Sequence, residues 1–280
     1  MKRLLHPDLS QRLIKALLVL LTALTLSVLI FIITYLLLKG LPVFSAEFFS
    51  GHAIDMGRAG GIFPFIVSTV FLSAVALAIA TPLGVGTAIY LTEYTRENRL
   101  TRIIRFAAEC LAGVPSIILG LFGFVTFVIY LRLGWSIISG GLTMAIMVLP
   151  TIIRTSEEAI LAVPHAQREV SFSLGGTRWQ TVTRVVLPGA LPGIVTGIML
   201  SFGRCIGETA AVIFTAGSSL MTPTSLLDSG RTLGVHFYIL AREGLSAEMA
   251  YGTAAVLMIA ILATNVSAYW LMHRIVRKYS

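Results

Sequence analysis

Arg204 and Glu208 stand four residues apart in the stretch SFGRCIGETA (201–210), with IVTGIML before it and AAVIFTA after it. At that spacing both side chains share one helix face, and Ser201 sits near the same meridian. A guanidinium offers planar, paired donors that match the oxygens of a phosphate-like anion, and it stays charged throughout. The carboxylate can hold the guanidinium while no anion is present and release it when one arrives. Within a bilayer the pair is expensive. A charge at mid-membrane costs about 2.5–3.5 kcal/mol on insertion scales, while a surface ion pair returns only about 0–1 kcal/mol. Arg204, Glu208, Ser201 and the adjoining Thr209 are therefore read as lining a polar route. The alternative is a structural ion pair that fixes helix register.

Whether a bilayer is the solvent depends on the elements around the pair. Of 280 residues, 56% are hydrophobic and 12% charged, against about 25% charged in soluble domains. Mean hydropathy is +0.88. The apolar residues fall into six runs, about 16–38, 62–91, 108–131, 135–153, 189–216 and 249–272. A helix needs about 20 residues to cross a ~30 Å hydrocarbon core. The first run is too long for a signal's apolar region and reads as a retained span.

The cations then set orientation. Lys2, Arg3, Arg12, Lys15, Arg96, Arg99, Arg102, Arg105, Arg154, Arg168, Arg178, Arg184, Arg274, Arg277 and Lys278 fall on one side of the six runs. Only Lys39, Arg58, Arg132, Arg231 and Arg242 fall on the other. The positive-inside bias places both termini in the cytoplasm. The expected fold is an all-α integral membrane protein, one domain over 1–280 with six transmembrane helices. Gly189, Gly193, Gly197 and Ser201 recur every four residues, a small-residue stripe that lets another helix approach closely. Cys110 and Cys205 lie at the edge of or inside apolar runs, where both read as small buried residues with no metal or disulfide spacing. His236, in the outward loop 217–248, reads as a solvated or interfacial side chain.

The longest cytoplasmic loop, about 156–188, is patterned. Val163, Ala166, Val170 and Leu174 recur at three- and four-residue steps after Pro164, giving a short amphipathic helix. Gly175-Gly176 supplies a stop that admits positive φ, and Thr177 can cap the helix that follows. Such a knob could lie on lipid or fill a groove in a cytosolic partner.

These residues carry a resemblance. Importer permeases of the ABC class share the loop pattern E-A-A-x3-G-x9-I-x-L-P. Here it reads Glu169-Val170-Ser171, then Gly175, Val185, Leu187 and Pro188, with every spacing kept. The resemblance implies a type I importer permease fold. It also implies that Glu169, Val170, Ser171, Leu174, Gly175, Leu187 and Pro188 dock a cytosolic ATPase. The stretches GGIFPFIVSTVFL, TPLGVGTAIYLTEY, AGVPSIILGLFGF and GRCIGETAAVIFTAG further resemble the phosphate-specific ABC permeases, in their PstA-type branch. That resemblance implies a prokaryotic inner-membrane subunit with four kinds of companion: a related permease as heterodimer partner, two ABC ATPases, an extracytoplasmic phosphate-binding protein and lipid. Arg204 and Glu208 inherit a role in phosphate passage from it.

Other classes gain little support. No G-x4-G-K-[ST], H-E-x-x-H or G-x-S-x-G occurs, and the five histidines are scattered. No cofactor is expected on this chain; by the resemblance, ATP and Mg belong to the partner ATPases. The cations flank apolar runs, which suits an anionic membrane surface rather than nucleic acid. A permease for sulfate or molybdate remains open, as do a secondary carrier with Glu208 titrating and an intramembrane enzyme using Glu208 as acid or base.

Overall fold

The computed structural model describes residues 7–279. Lys2 and Arg3, counted above for orientation, lie outside the described residues, as do the side chains of Arg277 and Lys278. Helix α1 (Pro7–Gly40) is a single rod, exposed along nearly its whole length. A helix apolar all round, with nothing of its own chain to cover it, needs lipid or another membrane protein. Only its far end closes on the rest: a Cβ at Gly40 would meet the Tyr251 carbonyl at 2.5 Å.

The chain then forms α2 (Ala46–Ser50) and a short antiparallel hairpin, β1 (Ala53–Ile54) with β2 (Ala59–Gly60). Helix α3 (Phe63–Ile89) follows and ends in a π-helical turn, Tyr90–Tyr94. Helix α4 (Arg99–Gly113), capped by the reciprocal Asn98–Thr101 box, meets α5 (Ser116–Gly123) at Pro115. Next come α6 (Ile137–Leu161), α7 (His165–Ser173), α8 (Arg178–Thr181), α9 (Leu187–Gly207), α10 (Ala210–Thr215), α11 (Leu233–Arg242) and α12 (Ala247–Tyr279).

Five of the helical stretches are long and apolar enough to cross a membrane, and α4 with α5 and its π-helical continuation Phe124–Tyr130, bent by 103°, makes a sixth when taken as one span. The bend corrects the third expected span. Residues 108–113 belong to α4, which turns away from the crossing segment, because Pro115 donates no hydrogen bond and holds its predecessor out of the helical region. Cys110 is exposed on α4 rather than buried; Cys205 is buried as expected.

Helices α3 and α6 form the centre, with α9 against both. The buried cluster between them includes Leu72, Ala76, Ala80, Met144, Val148 and Ile152. Close approach rests on glycine: a Cβ at Gly84 would meet Ile152 at 2.7 Å, and one at Gly193 would meet Ala159 at 2.5 Å. The small-residue stripe on α9 faces a matching ladder on α6 and the residues just past its end. Gly189 lies against Val163, Gly193 against Ala159 and Gly197 against Thr155. Each ladder steps by four residues in the opposite direction, as antiparallel packing of i±4 rows requires.

His236 departs from the sequence expectation. It is fully buried, stacked on Phe65 with ring centroids 3.9 Å apart, and neither ring nitrogen finds a partner among the described residues. Gly57, at φ +93°, presses on the ring: an added Cβ would come within 2.6 Å of its Cε1. Arg231 is buried too, with Nε donating to the Ser218 carbonyl at 3.1 Å.

Candidate functional site

The apolar run that carries Arg204 and Glu208 is not one helix. α9 stops at Gly207, and Glu208 is extended at φ −73°, ψ 134°. Its Oε1 accepts the Ala211 amide at 3.2 Å, so the carboxylate caps α10. Helix N-termini leave amides without partners, and a carboxylate there gains from both hydrogen bonding and the helix dipole. The i, i+4 geometry therefore does not form. Among the described residues neither Arg204 nor Glu208 enters an ion pair. The expected guanidinium–carboxylate couple is corrected to two groups with separate surroundings.

Arg204 is exposed, on the α9 face that also exposes Leu200 and Gly207. Gly203 beside it has nothing within 4 Å of an added Cβ, so the backbone around the guanidinium is bare. Ser201 lies on the other side. It is buried, and its Oγ donates to the Gly197 carbonyl at 2.9 Å, so it does not share Arg204's face. Thr209 is half-buried at the break, where α11 crosses closely: a Cβ at Gly234 would meet Thr209 Oγ1 at 3.0 Å.

Thr209 lines a cavity of about 970 Å³ between α5, α10, α11 and the 217–229 loop. Its polar residues are Thr209, Ser218, Ser219, Ser229, Tyr238 and Arg242, and the rest is mainly apolar. Arg242 Nη1 donates to Tyr238 Oη at 2.8 Å, with the guanidinium carbon 5.6 Å from that ring's centre. Sequence reading missed Arg242 and Tyr238. Their four-residue spacing was visible, but nothing in it showed that α11 folds back over the break.

The second site is the loop after α6. Helix α7 has the expected stop, with Gly175 at φ +81°, and Thr177 with Gln180 forms a reciprocal capping box at the start of α8. Ser171 Oγ lies 2.8 Å from Thr181 Oγ1 and ties α7 to α8. Val170 is 60% exposed, Leu174 84% and Trp179 63%. Beside them runs a groove of about 660 Å³ lined by Val170, Ser171, Leu174, Gly175 and Arg184, and Glu169 is exposed nearby. Leu187 and Pro188 do not join this surface. Leu187 packs into the cluster of Ala88, Ile160 and Val163, and Pro188 stands at the start of α9, just after the π-helical turn Val182–Val186.

Residues 80–280 match the family described as "Binding-protein-dependent transport system inner membrane component". The chain belongs to that family. This permease is 33% identical to the probable ABC transporter permease protein YqgI of Bacillus subtilis (strain 168), over 91% of this chain and 92% of that one. It is 32% identical to the phosphate transport system permease protein PstA of Pasteurella multocida (strain Pm70), over 83% and 84% of the two chains. Among solved structures, it superposes on a chain of the bacterial alginate ABC transporter in complex with its alginate pentasaccharide-bound periplasmic protein. The TM-score is 0.67 with 17% identity, covering 98% of both chains. The permease is thus a multi-pass subunit of the inner membrane with the fold of ABC importer permeases, and its relatives are permeases rather than ATPases.

Proposed function

We propose that this permease forms one half of an inorganic phosphate pathway. A related permease supplies the other half, an extracytoplasmic binding protein delivers the anion, and one of two cytosolic ATPases sits on α7. The observation that carries this reading is Arg204, an exposed guanidinium inside a membrane helix with no carboxylate partner among the described residues. Facing lipid it would cost about 2.5–3.5 kcal/mol on insertion scales. Facing a second permease across a polar path, the same charge is an anion site. Phosphate, rather than another oxyanion, is favoured by similarity to relatives named for phosphate transport.

In this mechanism the cavity beside Thr209 is the outer vestibule, and Glu208 holds the break open by capping α10. Ser201 positions α9 against α6 and does not touch the anion. On the cytoplasmic side, Val170 and Leu174 fill a groove of the ATPase, Gly175 lets the chain turn away, and Leu187 and Pro188 anchor the return into the membrane. Closure of the ATPases would rock the helices from outward- to inward-facing. The test is ATP-driven uptake of labelled phosphate by the complex reconstituted with candidate partners. Uptake that unlabelled phosphate suppresses and sulfate does not would support the reading. Transport by this chain without ATPases, or uptake of sulfate in preference, would overturn it.

A further inference from the structure

We propose that Arg168 is a positioning residue, the joint through which displacement of α7 moves α3 and α6 together. This rests on α7 being the seat of the ATPase. Arg168 is nearly buried, 8% exposed, although it sits on the short helix that otherwise faces outward. Its Nε and Nη2 donate to Glu93 Oε1 at 3.1 and 2.8 Å. Nη1 donates to the Val163 carbonyl at 2.5 Å, and Nη2 also donates to the Ile160 carbonyl at 2.9 Å. Three elements thus meet on one guanidinium. Glu93 belongs to the π-helical turn that ends α3, Ile160 lies in the last turn of α6, and Val163 stands just past its end.

Each acceptor has a physical reason to need this donor. The last carbonyls of a helix lack intrahelical partners, and its C-terminal dipole favours a cation. Glu93 is nearly buried, 12% exposed at the side chain, and a charge so placed requires a hydrogen-bonded counter-charge. A rigid fork of five N–H groups reaches all three acceptors; the single nitrogen of a lysine cannot. The α8 side is tied to the same turn, with the Arg178 guanidinium 5.9 Å from the centre of the Tyr94 ring. Because α3 and α6 are the most extensively packed helix pair, a pull on α7 through this joint reaches the centre of the fold.

The test uses the full complex in proteoliposomes, with three readouts: ATPase co-purification, phosphate taken up per ATP hydrolysed, and a conformational signal that assumes no substrate. The last is the ATP-dependent change in thiol-labelling rate after Phe63→Cys, at the outer end of α3, in a Cys110→Ser background. Arg168→Lys is expected to keep co-purification and hydrolysis. Uptake per ATP and the labelling change should each fall about tenfold, a size seen for residues that modulate coupling without touching either ligand. Glu93→Gln, which keeps an acceptor of the same shape, should give a smaller loss. The exchange Arg168→Glu with Glu93→Arg should not restore coupling, because a carboxylate at 168 faces the Ile160 and Val163 carbonyls. Full restoration by the exchange, or an unchanged labelling response in both Arg168→Lys and Glu93→Gln, overturns the proposal. If the native complex shows the labelling change but transports no phosphate, the substrate reading alone fails.

Discussion

Arg204 and His236 illustrate how far a side chain's role depends on what surrounds it. Arg204 lies on an uncovered helix face flanked by glycines. Arg204→Gln should leave assembly intact and lower phosphate uptake about 10- to 100-fold, the loss that follows when charge-assisted hydrogen bonds of about 1.5–3 kcal/mol disappear. Arg204→Lys should fall between, keeping the charge but not the paired donors. Uptake assays on both variants decide the matter. At His236, burial, reinforced by the nearby Arg231 cation, lowers the pKa to about 3 from 6.5. The folded state thus resists protonation that the unfolded state accepts. This contribution to stability is complete above pH 6.5 and is lost as pH falls toward about 3. Acidification in that window should speed proteolysis of the 45–61 segment packed on the ring. His236→Phe, which keeps the stack on Phe65 and cannot titrate, should remove His236's share of that pH dependence.

At the level of elements, two packings make opposite demands on glycine. Gly175 has open space around it, so a side chain there meets only backbone strain at φ +81°. Gly175→Val should reduce ATPase co-purification while the protein still inserts. Gly175→Asn, which tolerates left-handed backbone, should retain most of it. Gly197 has an ordinary helical backbone but no space, because its missing Cβ would overlap the Thr155 hydroxyl. Gly197→Ala should cost about 1–3 kcal/mol by overpacking. Thr155→Ala should recover part of that, since it removes the nearest atom; a double-mutant cycle in detergent melting measures the coupling. The glycine stripe was legible in the sequence as a packing surface. Its partner was not, because the ladder at 155, 159 and 163 contains threonine, alanine and valine and looks like any helix interior.

The whole molecule shows why this chain acts in company. Helix α1 exposes apolar residues all round, α7 and α8 expose Val170, Leu174 and Trp179, and Arg204 is uncovered within a span. On the proposed reading these surfaces meet lipid, a cytosolic partner and a second membrane subunit. Vesicles holding this chain alone should therefore show no phosphate flux under a proton or phosphate gradient, and flux there would favour a self-contained carrier. The bilayer as solvent, the crossing helices, the Gly175 stop, the Thr177 cap and the family pattern follow from residue type and spacing, because they depend on neighbours a few positions away. The capping role of Glu208, the cavity with Tyr238 and Arg242, the inward turn of Ser201 and His236, and the meeting of Arg168 with Glu93 do not. Arg168 and Glu93 are 75 residues apart. Only the folding of α7 beneath the ends of α3 and α6 places one beside the other, and the need to satisfy a nearly buried charge and the last carbonyls of a helix then fixes what each side chain does.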